Sequence, residues 1–351
     1  MYSLFRPLLL SGLRPGLAAR GHAPLRLNRP RPLHASPIQR SSNHDPGEVS
    51  VDEEEPIRLE DEGEYEIILP LDEFSTAKAI RTVPTRIQRP PYALAENVRR
   101  FKETGEFEQG YRWSEYDGRI MVGTVEERKL RRAADLARRV LRYAGGLVQE
   151  GVTTDAIDAA IHKFIVSNNA YPSPLLYKGY PKSCCTSVNN ILVHGIPDDR
   201  PLRNTDIINI DVTVYLDGFH GDTSKTFLVG DVDRIGRDLV QTTEEALEAG
   251  IRGKDFVVCP AFTGHGIGAV FHSPPWIFHD VNEEPGVMMP GDCFTIEPCI
   301  VKGSNPDYFV FPDDWTASSA NWARSAQAEH MILITYDGAD VLTRDDSHLG
   351  S

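Results

Sequence analysis

Apolar residues recur at helical spacing from about residue 125, which predicts that the folded domain begins with a helix. The positions that carry this period are Leu130, Ala134, Leu136, Val140, Leu141 and Leu147. Gly151 interrupts the pattern, and the threonines before Asp155 offer an N-cap for a second amphipathic helix over 154–168. Two helices are therefore predicted to precede the first strands.

The segment 206–229 has the pattern of two strands joined by a tight turn. Asp217 and Gly218 stand between β-branched and aromatic residues, which is the strongest short-range signal for a hairpin. Counting outward from that turn places Asp211 opposite Ser224, with Asp222 as a diagonal neighbour about 7–8 Å away. The two carboxylates then share one face and can bind a cation together. A pair of exposed aspartates near a loop is the alternative.

Short sequences in the two halves of the chain echo each other. The segment NTDIINID, ending at Asp211, is repeated in PGDCFTIE, ending at Glu297, and VHGI is repeated in GHGI. This similarity suggests two halves related by a pseudo-twofold axis. The acidic and imidazole side chains of the pattern are Asp211, Asp222, His265, Glu297 and Glu329. Four carboxylates and one imidazole suit a pair of divalent first-row metal ions.

The first 44 residues differ in composition from the rest of the 351-residue chain. They contain seven arginines, several serines and leucines, and no lysine, aspartate or glutamate. This composition is typical of an organelle transit peptide, and a basic disordered tail is the alternative. The sequence RPLHAS from Arg31 resembles the processing sites of mitochondrial precursors. We predict a mitochondrial transit peptide over 1–44 and a location in the matrix, with the cytoplasm as the second interpretation.

Two further segments precede the predicted domain. Between Asp45 and Glu66 the chain holds eleven carboxylates and the single Arg58, which predicts a solvated, disordered linker over 45–82. Residues 83–124 open with VPTRIQRPPYAL, whose prolines predict an extended arm wrapping a domain over 125–345.

Overall composition argues against several classes of protein. A net charge of −14 disfavours a nucleic-acid surface. No apolar run approaches the roughly 18 residues that span a bilayer. The five cysteines are odd in number and include no C-x-x-C, so they indicate neither a disulfide framework nor a zinc ribbon. The chain is predicted to be globular, with neither nucleic acid nor membrane as a partner.

Seven motifs between about Pro84 and Thr343 resemble, in order, those of the organellar type 1 methionine aminopeptidases. They are YPSPLLYKGYPKSCCTSVNN, VHGIPDD, NIDVTVYLDGFHGDTS, GHGIG, FHSPP, FTIEP and SAQAEH. The resemblance implies an α+β, pita-bread (creatinase/aminopeptidase) fold, with pseudo-twofold halves, an antiparallel curved sheet and outer helices. It also implies a monomeric hydrolase that removes initiator methionine from nascent polypeptides, with the organellar ribosome as a partner and a small second residue preferred.

The resemblance extends to individual residues. Two divalent ions, whether Co, Mn, Fe or Zn, would be held by the five ligands named above, and Glu297 would also move a proton. His194 and His272 match non-ligand histidines that bind substrate, one near its amide and one stabilising the oxyanion. The residues matching the methionine pocket are Tyr177, Tyr180, Cys185, Phe271 and Trp315. Ordinary core positions are the alternative for these five.

The sequence departs from the family pattern between Asp222 and His265. This interval is about 20 residues shorter than in the family, which is the length of a loop and a helix. An amphipathic segment over 232–249 leads directly into the strand at 256–258, so one helix of the second half is predicted to be missing. Two other hypotheses follow: a catalytically impaired splice or gene-model variant, and a non-catalytic binding module with the same fold.

Overall fold

The computed structural model describes residues 60–70, 80–110, 118–249 and 255–345. The predicted transit peptide over 1–44 lies outside these ranges, as does much of the predicted linker over 45–82. The described residues belong to one compact unit. None of the helices in the described ranges is both long enough and apolar enough to cross a bilayer.

Four helices lie in the described ranges: α1 (Ala95–Thr104), α2 (Val125–Gly145), α3 (Thr154–Ser167) and α4 (Arg234–Ala249). The strands are β1 (Tyr171–Pro172), β2 (Cys185–Val188), β3 (Ile191–Val193), β4 (Ile207–Leu216), β5 (Phe219–Leu228), β6 (Phe256–Val258), β7 (Gly264–Gly266), β8 (Ser273–Ile277), β9 (Cys293–Ile296), β10 (Cys299–Lys302), β11 (Tyr308–Val310), β12 (Ala317–Ser319), β13 (Ser325–Gln327), β14 (His330–Ile334) and β15 (Ala339–Val341). Short 3₁₀ turns occur at Pro91–Ala93 and Tyr177–Gly179.

The two predicted helices of the first half are confirmed, and each begins at a threonine cap. Thr124 accepts a hydrogen bond from the Glu126 N–H at the start of α2, and Thr153 accepts one from the Ala156 N–H at the start of α3. The apolar faces of α2 and α3 pack together and onto β4, forming a core that includes Leu136, Val140, Ile157, Ile161, Ile210 and Val212. The predicted helical period therefore marks the buried face.

The predicted hairpin is also confirmed, including its register. Strands β4 and β5 pair antiparallel from Ile207 to Leu228, with Asp217 and Gly218 between them. Asp217 has φ of 54° and Gly218 has φ of 94°, the left-handed conformations that Asp-Gly turns favour. Asp211 lies opposite Ser224, as predicted.

The sheets are antiparallel in both halves. In the first half β4 lies between β1 and β2 and also pairs with β5. In the second half five strands follow the order β15-β14-β9-β7-β8, and smaller sheets have the orders β13-β10-β6 and β11-β12-β3. Helix α2 covers β4 and β5, while α4 covers β10 and β13. Each half thus places a helix on its sheet, as the repeated sequences predicted.

The second half carries fewer helices than the first among the described residues. Between β5 and β6 only α4 is described, whereas α2 and α3 both precede β1. The residues of β6 are half-buried, while those of β1 are fully buried.

Two predictions about the N-terminal segments are wrong in part. Within the predicted arm over 83–124, residues 95–104 form α1, because helix-favouring residues follow the prolines and Gly105 ends the helix with φ of 73°. Within the predicted disordered linker, residues 60–70 pack on the domain. Asp61 is 1% exposed and forms an ion pair with the buried Arg324, so this acidic residue compensates an internal charge.

Candidate metal centre

The five predicted ligands come from both halves of the fold. Asp211 lies in β4, Asp222 in β5 and His265 in β7, while Glu297 follows β9 and Glu329 precedes β14. The Glu329 N–H donates to the Ser224 carbonyl at 3.0 Å, which joins the second half directly to the hairpin. The strand pairing therefore brings the two sets of ligands together.

Three of the ligands form a compact, buried group. Asp222, His265 and Glu329 each offer a ligand atom within 4.8 Å of the others. Glu297 joins them, because its Oε1 lies 3.4 Å from His265 Nε2, and the Asp222 Oδ2 lies 3.9 Å from the same nitrogen. This spacing suits ligands arranged around a cation.

The four carboxyl groups of the site all have raised pKa values. Burial, and then the charge of Asp211, raises the pKa of Glu297 to about 8, although Thr295 and Gln327 oppose the shift. Burial raises the pKa of Asp211 to about 7. Burial and neighbouring carboxylates raise the pKa values of Asp222 and Glu329 well above the usual range.

Asp211 adjoins the group through the hairpin, where it lies opposite Ser224 and diagonal to Asp222, and its charge is among the causes that raise the pKa values of Asp222, Glu297 and Glu329. Burial lowers the pKa of His265 to about 4, so its imidazole is neutral and able to bind a metal ion. The buried Asp222, His265 and Glu329 and the half-buried Asp211 and Glu297 provide four acids and one neutral imidazole, a set that fits divalent cations.

Hydroxyl and amide side chains orient the ligands. The Thr213 hydroxyl donates to Asp222 Oδ1 at 2.7 Å, and the Thr295 hydroxyl donates to Glu297 Oε1 at 2.7 Å. Gln327 Nε2 donates to Glu297 Oε2 at 3.3 Å. Thr295 Oγ1 also accepts a hydrogen bond from the backbone N–H of His265 at 3.0 Å, so one threonine fixes two ligands.

Sequence reasoning missed these supporting residues, although a signal for them exists. Side chains two residues apart in a strand share a face. Thr295 stands two residues before Glu297, Gln327 stands two before Glu329, and Thr213 lies opposite Asp222 in the hairpin. The two-residue spacing places Thr295 and Gln327 on the face of a ligand, and the strand pairing places Thr213 beside Asp222.

The predicted histidines lie beside the metal centre in different surroundings. The His272 ring is 4.1 Å from the His265 ring between centroids, and its Nδ1 is buried without a hydrogen-bond partner. The His194 ring lies 6.1 Å from the Trp315 ring, on backbone with φ of 59°. Burial lowers the pKa of His194 to about 4 and that of His272 well below its usual range. Both imidazoles are neutral at pH 7.

The predicted pocket residues form two aromatic groups next to these histidines. The Tyr177 ring lies 4.9 Å from Phe271 and 5.0 Å from His272. The Tyr180 ring lies 5.0 Å from Trp315, which contacts His194. Cys185, the remaining predicted pocket residue, pairs directly with Asp211 across β2 and β4 and therefore lies beside a predicted ligand.

One further histidine adjoins this group and was missed by the sequence analysis. The His220 ring stacks on Phe271 at 5.1 Å, and its Nδ1 lies 2.9 Å from the Ser173 hydroxyl. Its Nε2 is buried without a partner. Its place in β5, two residues before Asp222, was the available signal.

Comparison with known proteins agrees with this centre. Antiparallel halves that converge on buried carboxylates and a neutral histidine define a metal-dependent hydrolase. The sequence matches metallopeptidase family M24 over residues 128–255 and 253–336, and the chain belongs to that family. The two matched segments overlap at residues 253–255, after α4, the only helix described between β5 and β6.

Similar proteins carry a common name. Methionine aminopeptidase 1D, mitochondrial, from Homo sapiens is 43% identical over 301 residues, covering 80% of this chain and 84% of the relative. Methionine aminopeptidase 1B, chloroplastic, from Arabidopsis thaliana is 46% identical over 282 residues, covering 75% and 72%. The crystal structure of methionine aminopeptidase from Rickettsia prowazekii has 40% identity and a TM-score of 0.60, covering 64% of this chain and all of that one. The fold is therefore the pita-bread fold.

Proposed function

We propose that this chain is a methionine aminopeptidase that removes the initiator methionine from nascent proteins and prefers a small second residue. The observation that carries the proposal is the cluster of Asp222, His265 and Glu329, with Glu297 3.4 Å from His265, beside two neutral imidazoles and several aromatic side chains. The relatives that share this name support the same substrate.

Two divalent ions would be held by Asp211, Asp222, His265, Glu297 and Glu329, with Co, Mn, Fe and Zn as the candidates. When bound, such ions lower the pKa of water and polarise a carbonyl group. The protein contributes a buried, pre-oriented ligand set, because Thr213, Thr295 and Gln327 hold three of the carboxylate oxygens in place.

The side chains around the centre have distinct roles in hydrolysis. Glu297 would accept a proton as water attacks and deliver it to the departing amine. His272 and His194 are neutral donors for the substrate amide and the developing oxyanion. Tyr177, Tyr180, Cys185, Phe271 and Trp315 surround the methionine side chain, whose thioether suits an aromatic pocket.

We infer that the enzyme acts on nascent chains in the mitochondrial matrix, at the organellar ribosome and as a monomer. The arginine-rich, acid-free residues 1–44 support this location. Several similar proteins are named mitochondrial, including those of Homo sapiens and Danio rerio. A non-catalytic binding module and an impaired variant are less favoured, because the ligands converge although α4 is the only helix described between β5 and β6.

The test is methionine release from a Met-Ala-Ser peptide by the full chain supplied with Mn²⁺ or Co²⁺. We expect release that a chelator stops and that Glu329→Ala abolishes. No release above the Glu329→Ala level, from protein that is folded and soluble, would overturn the proposal in favour of the impaired variant.

A further inference from the structure

Lys178 lies in the turn Tyr177–Gly179, at the edge of the aromatic pocket. Its Nζ is 5.8 Å from the centroid of the Phe107 ring and 5.8 Å from that of Tyr177. The residue is half-buried, and among the described residues it forms no ion pair. A partly desolvated ammonium without a carboxylate partner is unusual in a chain with a net charge of −14.

The ammonium is linked to His272, one of the two proposed catalytic histidines, through the ring of Tyr177. The Tyr177 ring that it overlies is 5.0 Å from the His272 ring, which is itself 4.1 Å from the His265 ring. Burial and then the Lys178 charge lower the pKa of His194, while for His272 the Lys178 charge acts after burial and the charges of His265 and His194. Lys178 is thus one aromatic ring away from His272, an imidazole proposed to bind substrate.

The backbone fixes the direction of this side chain. Leu176 has φ of 70° and Lys178 has φ of 46°, conformations that cost energy for residues other than glycine. The turn is closed by hydrogen bonds from the Tyr180 N–H to the Tyr177 carbonyl at 2.9 Å and from the Leu176 N–H to the Tyr180 carbonyl at 2.8 Å. A fixed turn positions the ammonium before substrate arrives, which lowers the entropy lost on binding.

We propose that Lys178 is a specificity residue that binds an acidic side chain at the third position of the substrate peptide. The inference rests on the proposed function. With methionine in the pocket and the scissile amide at the histidines, the rest of the peptide leaves past Lys178. A small second residue is too short to reach the ammonium, so the third side chain is the first that can form the ion pair.

The test compares kcat/KM for Met-Ala-Asp-Ala, Met-Ala-Asn-Ala and Met-Ala-Lys-Ala with the Mn²⁺-loaded full chain. We expect the aspartate peptide to exceed the asparagine peptide about fivefold, as a partly screened ion pair provides. The lysine peptide should be the poorest substrate. The preference should weaken in about 1 M salt, where the screening length is about 3 Å.

Two substitutions of Lys178 test whether its positive charge causes the preference for the aspartate peptide. Lys178→Met should bring the aspartate-to-asparagine ratio close to one, while Lys178→Arg should keep it. Lys302→Met is the matched control, because the Lys302 Nζ also lies over an aromatic ring, 5.5 Å from the Phe256 centroid, at the outer strand pair of β10 and β6. That variant should retain the full preference.

The outcomes distinguish the two proposals. Equal kcat/KM for the aspartate and asparagine peptides in the unaltered chain, or a preference that survives in Lys178→Met, would overturn the role of Lys178 while leaving methionine release intact. If the unaltered chain releases methionine from none of the three peptides, the proposed function fails and the role of Lys178 fails with it.

Discussion

The acids of the metal centre differ from surface acids in the neighbours that they lack. Asp222 and Glu329 are buried beside other carboxylates, and within the described ranges neither forms an ion pair with lysine or arginine. The residue types and sequence spacing of the acids could be predicted, because the motifs identified them and the strand register placed Asp211 and Asp222 on one face. The supporting hydroxyl of Thr295 was not predicted, although Thr295 stands two residues before Glu297, because that spacing alone does not distinguish a ligand's partner from an ordinary strand threonine.

Metal affinity should rise with pH between about 6 and 8.5, because the protons on Asp211 and Glu297, with pKa values of about 7 and about 8, must leave before the oxygens bind a cation. Calorimetric titration with Mn²⁺ in buffers of different ionisation enthalpy would detect the released protons. In the metal-free protein, the free energy of unfolding depends on pH in the opposite direction to the metal affinity. Raised pKa values contribute stability that is complete below about pH 4 and is lost as pH rises through 7 and 8. An affinity independent of pH would contradict this prediction.

Replacing Thr295 with valine removes the hydroxyl that fixes both Glu297 and the His265 backbone. We expect Mn²⁺ affinity to fall about tenfold to a hundredfold, as loss of such supporting contacts does. Thr186→Val is the control, because Thr186 is also a buried strand threonine and its hydroxyl has no hydrogen-bond partner. Equal losses in the two variants would show that strand packing, rather than ligand orientation, is responsible.

At the scale of elements, helix α3 supports the loop between Tyr180 and Cys185, two of the residues proposed to surround methionine. Asp158 in α3 accepts hydrogen bonds from the Ser183 N–H at 2.7 Å and the Cys184 N–H at 3.2 Å. Arg81, which precedes the N-terminal arm, donates to the other carboxylate oxygen of Asp158 at 2.7 Å. Helices α2 and α3 were predictable from their period and caps, but this contact was not, because it joins residues far apart in sequence.

Asp158→Asn should loosen that loop, which holds Tyr180 and Cys185. The amide leaves Arg81 without one of its charged partners, so we expect a loss of about 1–3 kcal/mol in the free energy of unfolding. The KM for a Met-Ala-Ser peptide should rise more than kcat falls, because the pocket and not the metal centre is disturbed. Chemical denaturation and steady-state kinetics measure both effects. Asp135→Asn, in an exposed pair with Arg139, should change neither by much.

At the scale of the whole molecule, an N-terminal acidic segment contacts the second half of the domain. The side chains of Asp61 and Arg324 are both fully buried, and Arg324 Nη1 also lies 3.0 Å from Asp233, just before α4 begins. The Tyr65 ring covers the guanidinium at 4.7 Å. The segment therefore ties the start of α4 to the sheet. Composition predicted a solvated linker here, because an acidic run does not reveal that one of its members meets a buried arginine.

Asp61→Asn should destabilise the domain, because it leaves the buried Arg324 with Asp233 alone. Breaking a buried pair costs about 3–5 kcal/mol, and the remaining aspartate should keep the loss near the lower value. Thermal or urea unfolding of the metal-loaded protein measures it. Glu248→Gln, in the exposed pair with Arg344, serves as the comparison and should cost less than about 1 kcal/mol. A similar small loss for both would mean that the acidic segment does not support the second half.

The most direct test of the account is the number of Mn²⁺ ions bound per chain, measured by electron paramagnetic resonance during titration of the metal-free protein. Assembly of all five ligands without the missing helix predicts saturation at about two ions per chain, reduced in Glu329→Ala. Fewer than two ions at saturation, or a count that Glu329→Ala leaves unchanged, would contradict it.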